Sequence, residues 1–95
     1  YIDVKLTVWD ETGLPKGGNV VMIISKTPMP YMDVQDFTIL SQQEISYDTK
    51  IATYTGYIKV QPGTYFLIIN DLKDSLDNNI GDSGNYYQYK VEVVE

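Results

Sequence analysis

The stretch Gly56-Tyr57-Ile58-Lys59-Val60-Gln61-Pro62-Gly63-Thr64-Tyr65-Phe66-Leu67-Ile68-Ile69 decides the fold class. Its first five residues alternate, with Gly56, Ile58 and Val60 on one side and Tyr57 and Lys59 on the other, which is the period of a half-buried strand. Gln61-Pro62-Gly63 then supplies the Pro and Gly that suit the central positions of a type II turn. Thr64 to Ile69 has the strongest β composition in the chain and is apolar on both faces, as a strand covered from two sides would be. A hairpin-like reversal follows from this order.

The same reasoning extends outward in both directions. Toward the N-terminus, Val20 to Ile24 is a second continuous β-branched run, so it competes with Thr64 to Ile69 for the centre and should be the most buried strand. Before it, Ile2, Val4, Leu6 and Val8 alternate strictly with Asp3, Lys5, Thr7 and Trp9. Asp10 to Asn19 holds two turn signals, one around Asp10 and Gly13 and one around Pro15 and Gly17-Gly18. Pro28 and Pro30 mark a connector or an edge segment. Asp33 to Asp48 lacks a clean period; a strand from Phe37 to Leu40 and a further β segment from Ser46 to Tyr54 fit it best, and Leu40 to Ile45 also fits a helical turn. Toward the C-terminus, Asp71 to Asn85 reads as a long polar surface loop, and in Tyr86 to Glu95 the residues Tyr87, Tyr89, Val91 and Val93 face away from Gln88, Lys90 and Glu92.

About seven β segments in 95 residues predict an all-β fold, an antiparallel β-sandwich of prealbumin-like or Ig-like Greek-key form, in a single domain spanning 1–95. No internal repeat, low-complexity tract or heptad run competes with that reading.

Composition narrows the chemistry. The chain has no Cys, no His and no Arg; its basic residues are seven lysines against thirteen acids, for a formal charge of −6. That excludes disulfides and thiolate metal sites and makes a phosphate backbone a poor partner. No apolar run reaches the length of a membrane helix. With neither a histidine base nor a G-x-S-x-G or S-x-x-K motif, the expectation is that the chain is not an enzyme. Glu44 and Asp48 can be imagined as a glycosidase pair, but solvated loop acids describe them better.

Two constellations are candidate sites. Asp71, Asp74, Asp77, Asn79 and Asp82 gather the hard oxygen donors that Ca²⁺ takes, and calcium is the only cofactor the sequence suggests. The spacing fails the EF-hand pattern, with Gly81 where a ligand should stand, so a plain exposed loop is the stronger reading. Trp9, extending the first strand on its polar side, and Tyr86, Tyr87 and Tyr89 in the last strand are candidates for a protein- or sugar-binding face. The competing reading has Trp9 covered by a second sheet or plugging the sandwich end, and the last strand simply solvated along Lys90 and Glu92.

The segments VKLTVWDETGLPKGGNVVMI, TGYIKVQPGTYFLII and YYQYKVEVV together resemble the prealbumin-like (carboxypeptidase regulatory-like) β-sandwich family across nearly the whole chain. Asp10, Gly13 and Pro15 match its D-x-x-G-x-P turn, and Gly56, Ile58, Val60, Pro62, Gly63 and Tyr65 match its G-x-h-x-h-x-P-G-x-Y hairpin. The resemblance implies a structural rather than chemical motif, with Tyr65 packed inward and its hydroxyl tied to backbone. It also implies a stalk or adhesion module of a bacterial envelope protein, of the kind found in small Bacteroidota lipoproteins, held to the membrane only through an N-terminal anchor that has been removed. The expected partners are protein or carbohydrate at the cell surface; alternatives are a carbohydrate or calcium binder, or an accessory domain of a larger enzyme.

Overall fold

The computed structural model describes residues 1–47, 49–70, 72–81 and 86–94. They form six strands, β1 (Ile2–Trp9), β2 (Asn19–Ser25), β3 (Val34–Ile45), β4 (Ile51–Ile58), β5 (Gly63–Asn70) and β6 (Tyr86–Val93). All neighbours are antiparallel, and the strands hydrogen-bond into one sheet in the order β1-β4-β3-β2-β5-β6, curled into a half-barrel.

The all-β, antiparallel expectation holds, whereas the described strands number six rather than about seven and lie in one connected sheet rather than two. The chain around Gln61-Pro62-Gly63 crosses over β3 and β2 instead of closing the expected hairpin, since β4 and β5 do not pair. Two features account for the difference. The C-terminal part of the segment expected at Ser46–Tyr54 and the first residues of that expected at Gly56–Val60 form one strand, β4 (Ile51–Ile58), running unbroken through Gly56, while the described residues of 46–50 lie outside any strand. The Leu40 to Ile45 region is neither loop nor helix but the second half of the 12-residue β3. This strand pairs with β2 from Val34 to Ser41 and with β4 from Ser41 to Ile45, where a bulge at Gln42/Glu44 resets the phase. Such a bulge bends and twists a strand, so β3 turns the sheet from one half into the other.

Alternation then decides what lies inside. Val4, Leu6 and Val8 of β1, Val20, Met22 and Ile24 of β2, Leu40 of β3, Ala52, Tyr54 and Ile58 of β4, and Tyr65 and Ile69 of β5 point to the concave side and form or flank one core. Register keeps them together, because residues directly opposed across a ladder share a face: Val8 faces Ala52, Leu6 faces Tyr54, Val20 faces Leu40 and Met22 faces Ile69. Leu14, Leu72 and Ile80 come from loops and fill one end.

Those loops are tied by backbone. Leu14 N–H donates to the Thr49 carbonyl (2.8 Å) and Ser75 N–H to the Gly13 carbonyl (3.0 Å). Gly13 has φ 103°, and a Cβ there would stand 3.0 Å from Thr49 Oγ1, so the Asp10 turn needs glycine at this position. Gln42 clamps the β1–β2 loop, accepting from Gly17 N–H (2.5 Å) and donating through Nε2 to the Pro15 carbonyl (2.9 Å). Tyr65 is buried, and its hydroxyl donates to the Gln61 carbonyl at 2.7 Å across the β4–β5 turn, the arrangement expected of it.

Candidate functional site

The outward face is where the sequence reading and the structure part most usefully. β2 and β5 were expected to be covered on both sides. On β5 this holds for Ile68, which is fully buried although it points away from the core. The Lys26–Asp33 connection lies across that end of the face: Met29 N–H donates to Oε1 of Gln88 (2.8 Å), the register partner of Ile68. Ser25, also fully buried, holds the connection by accepting from Asp33 N–H (2.9 Å) and donating to the Thr27 carbonyl (2.6 Å).

On β2 and β3 the same face is open. Val21 opposes Ile39 and Ile23 opposes Phe37. Phe37 is 60 % exposed, Ile39 53 % and Val21 44 %, and Ile23 is half-buried. None of the outward side chains of β2, or of β3 from Phe37 to Gln43, is charged, although the chain carries −6 overall. An antiparallel sheet ordinarily presents polar residues on its solvated face, so two adjacent apolar cross-strand pairs at the sheet centre stand out.

Beside this patch β3 and β4 separate. Their ladder ends at Ser41–Thr55, after which β4 stays with β1 while β3 follows β2. Gly56 sits at the parting point, where a Cβ would come 2.7 Å from Leu40 Cδ2 and 2.9 Å from the Ile39 carbonyl oxygen. An open groove of about 620 Å³ follows the divergence, with Ile39 and the 65 % exposed Tyr57 on its walls and Asp3, Thr38, Ser41 and Thr55 offering polar atoms. It combines one aromatic face with several hydroxyls.

The candidate residues singled out from sequence do not converge. Trp9 is 61 % exposed at the end of β1, opposite Ile51, so it neither plugs the structure nor lies under a second layer. Tyr57 pairs with Asp3 near the other end of the same ladder, six positions along β4 from Ile51, which separates it from Trp9 by roughly 20 Å at strand rise. Tyr86, Tyr87 and Tyr89 lie on β6, the opposite edge of the sheet from β1. Tyr87 packs against the core, Tyr86 is half-buried, and Tyr89 is 46 % exposed. Trp9 and the three tyrosines therefore line opposite margins of the sheet.

The acidic loop is more than a solvated excursion. Asp71 and Asp82 lie outside the described residues. Asp74 is mostly buried, and its Oδ1 accepts from the amides of Leu76 and Asn78, each at 2.9 Å. The Asn78 amide chiefly holds the Asp74 carboxyl below its ordinary pKa, against the opposing effect of burial, with help from the Leu76 amide and the Asn78 side chain. Asp77 is exposed with φ 66°, and Asn79 Oδ1 accepts from Lys73 Nζ (2.5 Å) beside a Lys73–Asn79 bridge. Asp74 and Asn79 thus spend oxygens on the turn itself. Among the described residues no three carboxylate, His or Cys side chains are grouped as a metal site requires. Glu44 is exposed on β3, and its imagined partner Asp48 lies outside the described residues.

Sequence reasoning missed Val21, Phe37, Ile39 and Tyr57. The signal was present for Val21, since a run apolar on both faces has either a cover or an open patch, and among the described residues the cover lies over β5. Comparison of the chain with family models, curated proteins and solved structures returns no match.

Proposed function

We propose that this chain is a non-catalytic structural or adhesion module, of prealbumin-like or Ig-like kinship, working at the cell envelope or outside the cell, and that it meets a protein partner through the outward face of β2 and β3. The observation that carries the reading is the uncharged patch of Val21, Ile23, Phe37 and Ile39 at the centre of a strongly acidic molecule. Apolar area without charge is what the core of an interface uses. The missing His, Cys and Arg support the non-catalytic half of the proposal, and the Asp10, Gly13 and Tyr65 geometry supports the kinship. The envelope location, with an anchor preceding the domain, rests on the family resemblance.

A second reading, carbohydrate binding, is favoured by the groove between β3 and β4, where Tyr57 offers a ring for a sugar face and Thr38, Ser41 and Thr55 offer hydroxyls. Retention of chain-coated beads under flow separates the two. Phe37→Ser with Ile39→Thr should release beads from protein-coated surfaces while leaving the melting temperature unchanged. Tyr57→Ala should release them from polysaccharide-coated surfaces if the second reading holds. Retention unaffected by either set rejects both.

A further inference from the structure

We propose that the free edge of β1 pairs with β1 of a second copy, antiparallel, about a two-fold axis through Val4. The inference is independent of the partner face on β2 and β3.

An unpaired strand edge is a template for another chain, and proteins that avoid this blunt the edge with proline, bulges, short strands or repelling charge. β1 has none of the first three. All of its eight residues run in continuous register with β4, from Ile2 opposite Ile58 to Trp9 opposite Ile51, and the strand contains neither Pro nor Gly. Its charges are of a different kind from a repelling edge: Asp3 and Lys5 point outward on the same face, two residues apart, with opposite signs. Neither has an ion-pair partner among the described residues.

This arrangement is self-complementary. With the axis at Val4, Asp3 lies across from the partner's Lys5 and Lys5 across from the partner's Asp3. On the concave side Ile2 meets the partner's Leu6, and Val4 meets the partner's Val4. Ile2 is exposed and Val4 and Leu6 are only partly buried, so the pairing covers apolar surface that the edge leaves open. The charges also fix the register. Sliding by one residue sets apolar side chains against charged ones, and sliding by two sets Lys5 against Lys5 or Asp3 against Asp3. A two-fold axis normal to the sheet keeps both concave faces on one side, as a closed isologous dimer requires.

The opposite edge strand, β6, carries Lys90 and Glu92 around Val91 in a similar pattern, so a Lys90→Glu variant distinguishes pairing through β1 from pairing through β6. Sedimentation equilibrium up to millimolar chain reads the association. Lys5→Asp or Asp3→Lys alone should weaken the dimer about tenfold, since each turns two cross-strand ion pairs into like-charge pairs. The double exchange Asp3→Lys with Lys5→Asp, at unchanged net charge, should restore wild-type affinity, and Lys90→Glu should have no effect. Because the chain lacks cysteine, Val4→Cys places a single thiol on the axis and should give a disulfide-linked dimer on oxidation. A chain that stays monomeric, a double exchange that fails to restore association, or loss of the dimer with Lys90→Glu would overturn the proposal.

Discussion

Replacing Gly56 by alanine tests how the sheet divides. A methyl group on Gly56 would meet Leu40 Cδ2 at 2.7 Å and the Ile39 carbonyl oxygen at 2.9 Å. Leu40 is fully buried in the core and the carbonyl belongs to the β3 backbone, so neither neighbour yields cheaply. Overpacking of this kind costs about 1–3 kcal/mol, and the smaller conformational freedom of alanine in the unfolded chain returns about 0.4–1 kcal/mol. The expected net loss is about 1–2 kcal/mol, a sizeable share of the roughly 5–10 kcal/mol total for a domain of this size. With a urea m-value of about 1 kcal/mol/M, the midpoint should fall by about 1–2 M. Equilibrium denaturation followed by far-UV circular dichroism measures it. Gly18→Ala is the control, because its methyl group would meet only the Pro15 carbonyl at 3.9 Å, and its midpoint should hardly move. An unchanged or raised midpoint for Gly56→Ala would mean that β4 does not lie against β3 at this point, and the account of the groove would fail with it.

Further expectations follow from single contacts. Tyr65→Phe removes the 2.7 Å hydrogen bond to the Gln61 carbonyl and should cost about 1 kcal/mol by the same denaturation assay, with the fold retained. Thr49 holds φ 63°, a left-handed conformation that is costly for a β-branched residue, so Thr49→Gly should stabilise the chain by roughly 0.5–1 kcal/mol once the flexibility of glycine is subtracted. The Asp74 carboxyl titrates below its unfolded value, so its contribution to stability is present above about pH 4 and is lost as pH falls through the lowered folded pKa. Amide shifts of Leu76 and Asn78 should therefore stay flat down to about pH 4 and move together below it, and movement centred above pH 4 would contradict the turn geometry.

The parts of the fold that were legible in the sequence are those whose pattern does not depend on distant partners. The alternation in β1 and β6 and the apolar runs of β2 and β5 are all local signals, and the structure places a strand at each. The hairpin expected at Gln61-Pro62-Gly63 does not form, because Gly63 already belongs to β5 and pairing with distant strands sets β3 and β2 between β4 and β5. The second half of β3 was illegible because Ser41-Gln42-Gln43-Glu44-Ile45 crosses a bulge, which shifts the inward set from Leu40 and Gln42 to Ile45 and erases any period of two. Gly56 looked like a break between segments; it is a close approach under Leu40, a fact set by tertiary packing. One sheet or two depended on β3 serving both β2 and β4, which no local pattern announces.

The site was less legible than the fold, for a related reason. Trp9 and Tyr89 are exposed, but strand order carries them to opposite edges. The exposed patch instead comes from Val21, Phe37 and Ile39, residue types that suggest a core until their cover is found to stop at β5. In the acidic loop, Leu72 and Ile80 were the overlooked signal: two apolar residues flanking Asp74-Ser75-Leu76-Asp77-Asn78 mark a turn anchored to the core.

The most direct test of the open face is solvent paramagnetic relaxation of methyl groups by a soluble gadolinium chelate. The methyl groups of Val21 and Ile39 should relax strongly, while those of Met22, Leu40 and Ile68 should be protected. Protection of Val21 and Ile39 equal to that of Leu40 would mean that a second layer covers β2 and β3, and the proposed partner face would not exist.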